Sequence, residues 1–199
     1  MKIDIINKAL LKLGEQTISS TQNHPTGAIL DMVYEDVRRS LLSMYVWRFA
    51  LKRQDLAVVD EPTGTSLYRY KYQRPNDCLT IVNVNDYYKF PDLRDYKFTS
   101  NERYVLEGDK ILSNDERLTL SYVSDIQEGF PQLFQMAMAS KLASSLCIKV
   151  HQNPNLYQLY EQEANAYLMQ AIQMNEIMQD SQELGDNSWI SVRRIWEND

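Results

Sequence analysis

The side chains that could catalyse a reaction are present in this sequence, but their spacing matches no familiar site. The histidines and cysteines, which could bind a metal, do not fall at metal-ligand spacing. They are His24, His151, Cys78 and Cys147. No serine lies in a nucleophile motif such as GxSxG. Glu161 and Glu163 are two residues apart, so on a helix they point away from each other and do not form a carboxylate pair. We therefore expect a protein that is not an enzyme and that binds neither a metal nor a cofactor.

Tyrosine recurs at every second position in one short segment, at Tyr68, Tyr70 and Tyr72. In a strand these three rings share one face, with Arg69 and Lys71 on the other. Such a stripe could be a stacking platform for bases or sugars. It is also typical of the packed face of a sheet or of a contact with a partner, and we interpret the three rings as interface aromatics.

The segment 185–199 carries Arg193-Arg194 between two tryptophans. The arginines could grip a phosphate. With only two charges, the pattern favours a docking tail whose large side chains are buried in another subunit. The residues of this predicted tail that would dock are Trp189, Ile190, Val192, Ile195 and Trp196.

The longest helical pattern runs through residues 155–181, where apolar residues recur at three- and four-residue steps. At about 1.5 Å per residue this helix is roughly 40 Å long. No Lys or Arg occurs between Lys149 and Arg193, whereas six acids do. These are Glu161, Glu163, Glu176, Asp180, Glu183 and Asp186. Their charge equals the formal net charge of the whole chain, −6, and a globular surface normally mixes the two signs.

Composition narrows the class of protein. The chain has 199 residues and a sequence pI of about 5.0, which argues against a sequence-reading nucleic-acid binder with its basic patch. Two cysteines that lie far apart disfavour a disulfide framework and favour a reducing compartment. Charged residues interrupt the N-terminal segment, so it lacks the continuous apolar run of a signal peptide. No run approaches the ~20 apolar residues that a membrane span needs.

The remaining pattern places helices on both sides of a β-rich stretch. Residues 3–13 and 25–47 have helical periodicity, and residues 130–150 combine apolar residues at four-residue steps with small residues that allow close helix packing. Alternation replaces this period between residues 49 and 125, where strands are predicted at 66–74, 79–84, 96–98, 103–107, 110–113 and 118–123. Gly108-Asp109 suits a two-residue hairpin loop.

We therefore predict an α+β fold. A discontinuous antiparallel bundle of about four helices, formed by residues 1–48 and 128–184, carries an inserted antiparallel β-sheet or small sandwich at 49–127. The docking tail at 185–199 follows the last helix.

The order of these segments resembles the tail tubular protein A family, the head-to-tail adaptor of podovirus-type phages and prophages. The resemblance covers roughly residues 3–180 and depends on order and spacing. The matching segments are INKALLKLGEQTISS at residues 6–20, WRFA at 47–50, YKYQRPNDCL at 70–79, VLEGDKIL at 105–112, YVSD at 122–125 and FP at 130–131. The tail from Ser188 has no counterpart in it.

This resemblance implies a viral structural protein of the virion neck, assembled in the host cytoplasm. It would form a ring of about twelve copies between the portal protein and the tail nozzle protein. The DNA genome would pass through the ring without sequence-specific binding, and no membrane would be involved. An acidic wall repels the duplex, so we hypothesise that the acids Glu161, Glu163, Glu176 and Asp180 face the lumen or its mouth.

Two other functions stay open at this point. One is a carbohydrate- or peptide-binding module that uses the tyrosine-rich sheet, and it predicts a monomer with an exposed tyrosine face. The other is an enzyme with an unfamiliar site, and it predicts convergent polar side chains in one cleft. The adaptor predicts assembly with a portal protein.

Overall fold

The computed structural model describes residues 1–22, 24–60, 67–85, 87–88, 104–150 and 154–183. Within them the chain has four α-helices and two antiparallel sheets, which confirms the predicted α+β class. The chain divides into two compact units. The helical unit comprises the described residues of Met1–Val37 and Phe130–Asp199, and the β unit comprises those of Arg38–Gly129. The second helix is shared between the units, whereas the sequence assigned all of it to the helical part.

Helices α1 (Lys2–Lys12), α2 (Gly27–Ser43), α3 (Gln132–Val150) and α4 (Pro154–Glu183) account for the helical content. The apolar stripe of α1 is buried, and Gly14, with a φ of 73°, follows its C-terminus in the left-handed conformation that suits glycine. Helix α3 packs against both α1 and α4. Its small buried residues allow these close approaches, and they are Ala137, Ala139, Ser140, Ala143, Ser144 and Cys147.

Helix α2 is shorter than its periodicity predicts at both ends. It begins at Gly27, where a Cβ would lie 1.7 Å from the carbonyl oxygen of Thr21, so only glycine fits at this position. It ends at Ser43. Trp47 is buried beyond this end, where its indole N–H donates to the carbonyl oxygen of Leu41 at 2.8 Å. A carbonyl in the last turn has no intrahelical partner, so it can accept this hydrogen bond.

The strands of the β unit form two four-stranded sheets. One sheet has the order β1 (Leu51–Leu56), β8 (Leu118–Ser124), β4 (Cys78–Val84), β5 (Tyr87–Tyr88), and the other has the order β2 (Val58–Asp60), β3 (Tyr70–Gln73), β7 (Lys110–Ser113), β6 (Tyr104–Glu107). Every pairing among the described strands is antiparallel. The predicted hairpin at Gly108-Asp109 is confirmed, since Glu107 pairs with Lys110 and Gly108 has a φ of 60°. The strand predicted at 96–98 lies outside the described residues.

A buried ion pair joins the first and last segments of the β unit. Arg38 has no exposed surface, which is unusual for a charged side chain. Its guanidinium donates to a carboxylate oxygen of Asp125 and, at 2.6 Å, to the carbonyl oxygen of Ile126. Arg39 lies 3.1 Å from the other carboxylate oxygen of Asp125. The pair therefore connects α2 to the chain that leaves β8.

The core of the β unit contains two groups that ionise only in strong alkali. Burial raises the pKa of the Cys78 thiol to about 11. Burial, together with a 3.0 Å hydrogen bond donated to Asp77, raises the pKa of the Tyr122 hydroxyl to about 12. Both groups pack in one cluster with Ile81 and Leu120. Folding therefore favours their neutral forms.

This cluster predicts loss of stability in alkali. The stabilisation from the raised Cys78 pKa is fully present below the unfolded pKa near 9.0 and is lost as the pH rises through about 11. The loss amounts to about 2–3 kcal/mol for two pKa units. Urea unfolding between pH 7 and 11.5 should show it, and Cys78→Ala should make the pH dependence between pH 9 and 11 shallower, while the loss from Tyr122 above pH 10 is retained. An unchanged pH profile in Cys78→Ala would contradict the assignment.

Candidate assembly surface

Helix α4 is held in the helical unit along one face. Ala164, Leu168 and Ala171 are buried on this face, and Asn175 continues it. The hydroxyl of Tyr160 donates to the carbonyl oxygen of Lys12, near the end of α1. α4 therefore has a fixed rotation about its own axis, which decides which side chains lie on its outer side.

Two of the four predicted lumen-facing acids are neutralised by cations from neighbouring helices. Glu161 accepts hydrogen bonds from the ammonium group of Lys141 and, at 3.0 Å, from the hydroxyl of Ser144, both on α3. Glu163 lies in the opposite direction, where the ammonium group of Lys12 is 2.8 Å from both of its carboxylate oxygens. The two carboxylates diverge, as their spacing predicts.

The picture of an unneutralised acidic wall is therefore wrong at Glu161 and Glu163. The charges along α4 alone do not include the cations Lys12 and Lys141, which α1 and α3 supply. Glu176 is exposed on α4. Asp180 is not among the residues whose side chains the structure describes, so its assignment to the lumen stays a prediction.

The outer surface of α4 is almost free of charge. Among its exposed residues from 155 to 177, Glu176 is the single charged one. The others are Asn155, Gln158, Leu159, Gln162, Asn165, Ala166, Met169, Gln170, Gln173, Met174 and Ile177. Side-chain amides and apolar groups thus dominate the exposed part of this helix.

These exposed residues contain a stripe with the spacing that two packed helices use. Leu159, Ala166, Gln170, Gln173 and Ile177 follow one another at steps of seven, four, three and four residues. Alternating steps of three and four bring side chains to one line along a helix, as at the contact between helices that cross at a shallow angle. We call these five residues the α4 stripe, and Met169 and Met174 flank it.

The large apolar members of this surface are well exposed. Leu159, Met169, Met174 and Ile177 have between 48% and 60% of their surface accessible. Interface centres are depleted in charge and enriched in methionine relative to other protein surfaces. The outer side of α4 has both properties, so its composition is that of a contact surface.

The tyrosine stripe does not form an exposed platform. Tyr72 is fully buried, and its hydroxyl donates to the carbonyl oxygen of Asp115 at 2.5 Å. Tyr70 is half-buried against the same core, and Tyr68 is half-buried before β3 begins. Tyr70 and Tyr72 share one face of β3, and that face packs on the buried cluster of the β unit. The interpretation of Tyr72 as an interface aromatic is wrong, and the binding-module hypothesis loses one of its three rings.

The structure also describes both cysteines and His24, which the sequence analysis considered as metal ligands. Cys78 and Cys147 are both buried free thiols. Backbone and hydroxyl groups of Thr26 lie 3.3 and 2.9 Å from Nδ1 of His24. No group of three or more potential metal ligands occurs among the residues that the structure describes. The docking-tail residues Trp189, Ile190, Val192, Ile195 and Trp196 lie beyond the last described residue, Glu183.

Comparison with known proteins adds no family assignment: no family model and no curated protein matches this chain. Within the described part of the chain, no helix has both the length and the apolar character needed to cross a membrane. The features that bear on function are therefore the α4 surface and the resemblance in segment order.

Proposed function

We propose that this chain is the structural subunit of a head-to-tail adaptor of a short-tailed phage. Copies assemble into a ring between the portal and the tail nozzle, and the DNA genome passes through that ring. The observation that carries the proposal is the nearly uncharged outer surface of α4, with its helix-packing stripe. The resemblance in the order of segments supports it independently.

The α4 stripe is the surface through which we expect copies to meet. Each copy has a formal net charge of −6, so copies repel one another in most orientations. Repulsion is smallest where the approaching surfaces have no charge of their own. In a ring, the side-chain amides of α4 can also exchange hydrogen bonds with a different surface of the neighbouring copy, because each amide is both donor and acceptor.

The same helix suits a protein that DNA passes without being held. Phosphate binding depends on Lys and Arg, and α4 contains neither residue. Because Glu161 and Glu163 are paired with lysines, repulsion of DNA by α4 depends on Glu176, Asp180 and Glu183. The electrostatic contribution is therefore smaller than the count of acids in this region suggests.

Measuring the mass of the purified chain alone and mixed with its portal protein tests this function. The adaptor predicts a complex whose mass corresponds to one portal ring plus a closed set of copies of this chain. A monomer in isolation is compatible with the proposal, because a ring can require the portal as its template. Absence of association at micromolar concentrations of both proteins would contradict it.

A further inference from the structure

The helical unit contains a pocket that the proposed ring contact does not use. Its volume is about 440 Å³, and it lies among α1, the following loop, α2 and α3. Aliphatic side chains line it from three helices, namely Leu10, Ile29, Leu30 and Leu146. Polar groups complete it, namely Glu15, Gln16, His24 and Thr26. An apolar cavity of this size with a few polar groups is typical of a binding site.

The loop that forms the polar side of this pocket is fixed in place. The side-chain amide of Asn7 donates to the carbonyl oxygen of Ile18 at 2.9 Å and accepts from its N–H at 2.8 Å. The hydroxyl of Thr21 donates to Asp31 at 2.9 Å. Gly27 lies against the backbone of Thr21, where no larger residue fits. The pocket is therefore formed before any ligand enters, which lowers the entropic cost of binding.

The chemistry of the pocket fits an indole ring. Its aliphatic side chains match the ring, while Glu15, Gln16 and Thr26 offer oxygen acceptors for the indole N–H, which needs a partner when it is buried. Two of the three tryptophans in the chain lie beyond the end of α4, at Trp189 and Trp196. The third, Trp47, is already buried in the β unit.

The neighbouring charge favours Trp196 over Trp189 as the residue that enters the pocket. Arg194 is two residues from Trp196 in the sequence, whereas the residues two positions from Trp189 are Asn187 and Ser191. Glu15 at the pocket is exposed and can attract a guanidinium beside the entering ring. The Arg–Trp combination therefore complements both parts of the pocket.

The length of the chain favours a tail from another copy. Glu161 contacts Lys141 and Ser144, so Leu146 of the pocket lies near the level of residue 158 on α4. From that level to Glu183, α4 rises about 37 Å. The thirteen residues from Glu183 to Trp196 span at most about 43–47 Å when fully extended. The chain's own Trp196 would therefore need an almost straight return path to reach the pocket.

We propose that the pocket receives Trp196 from a second copy of this chain, with Arg194 beside Glu15. This inference rests on the proposed self-association. It assigns the tail a receptor, so that each copy in a ring would be connected to its neighbour both through α4 and through the tail.

Calorimetric titration of a synthetic peptide tests the inference. The peptide comprises residues 184–199, and the protein is the full chain carrying Trp196→Ala, so that its own tail does not compete. We expect saturable binding of one peptide per chain. Trp196→Ala in the peptide should weaken binding at least about tenfold, and Trp189→Ala, the matched control, less than about threefold.

Substitutions in the protein locate the site. Glu15→Lys should weaken binding about three- to tenfold, with a larger effect at low salt. Glu128→Lys, at an exposed acid of the β unit, makes the same charge change and should leave binding unchanged. Ile29→Trp should fill the pocket and abolish binding, and Glu15→Lys locates the site if that variant does not fold.

Three results would overturn the inference. They are no binding of the unmodified peptide at millimolar concentration, an equal loss from both tryptophan substitutions, and unchanged binding to the Glu15→Lys protein. Because the titration requires neither a portal nor a ring, its failure leaves the adaptor proposal standing. Failure to associate with portal would remove the adaptor proposal whatever the peptide does.

Discussion

Replacing Asp125 with alanine is expected to lower the free energy of unfolding of the β unit by about 3–5 kcal/mol. The substitution removes the Asp125 carboxylate from the fully buried guanidinium of Arg38, and breaking a buried ion pair by removing one partner has a cost of this order. Glu128→Ala removes an exposed acid three residues further along the chain and should change stability by less than about 0.5 kcal/mol.

Urea unfolding, monitored by the fluorescence of Trp47, measures this effect within the β unit. The protein should carry Trp189→Phe and Trp196→Phe, so that Trp47 is its single tryptophan. Adding Arg38→Met to Asp125→Ala should recover at least about 1 kcal/mol, because it removes the buried charge. A loss below about 1 kcal/mol in Asp125→Ala, or no recovery in the double variant, would show that Arg38 does not depend on this carboxylate.

The second large effect is expected on assembly. Introducing Leu159→Glu and Ile177→Glu should weaken association of the chain with portal rings about a hundredfold or more. Both positions belong to the α4 stripe and are exposed, so the folded chain should keep its stability within about 0.5 kcal/mol. In an assembled ring the new carboxylates would have to be buried without partners, which costs at least about 3 kcal/mol.

A matched control places the same charges on exposed residues outside α4. Gln127→Glu and Gln132→Glu add two acids at exposed positions, one in the chain before α3 and one at the first residue of α3. Association with portal, measured by co-sedimentation, should be retained in this variant. Equal association of both variants would show that the α4 stripe is not a contact surface.

The helices could be predicted from the sequence because their periodicity is strong and local. Residues 155–181 were predicted for the last helix, and α4 runs from Pro154 to Glu183. Strand β1 could not be identified individually, because its sequence LKRQDL has no alternation and most of its side chains are exposed. It is defined by its ladder with β8, which joins residues far apart in the chain.

Only part of the candidate site could be predicted from the sequence, because the charge partners of its acids come from other helices. The length of α4 and its lack of cations can be read from the sequence. The partners of Glu161 and Glu163 come from α3 and α1, and no local pattern identifies them. The same limit applies to Arg38, which has the charge of a surface residue and is buried beside Asp125.

The tyrosine stripe shows a different limit. Alternation correctly indicated that Tyr70 and Tyr72 belong to one strand, but it does not tell which side of a sheet meets the core. Burial of Tyr72 is decided by packing with residues of other strands, including Ile111 and Leu118. Which residues form the uncharged outer surface of α4 depends on the rotation of this helix about its axis. The buried face of α4 fixes that rotation.

An electron-microscopy reconstruction of this chain bound to its portal tests the central claim most directly. We predict a closed ring coaxial with the portal, in which the α4 stripe of each copy lies against its neighbour and the central opening admits a DNA duplex. A chain that never joins the portal, or a complex in which Leu159, Gln170 and Ile177 face solvent in every copy, would contradict the account.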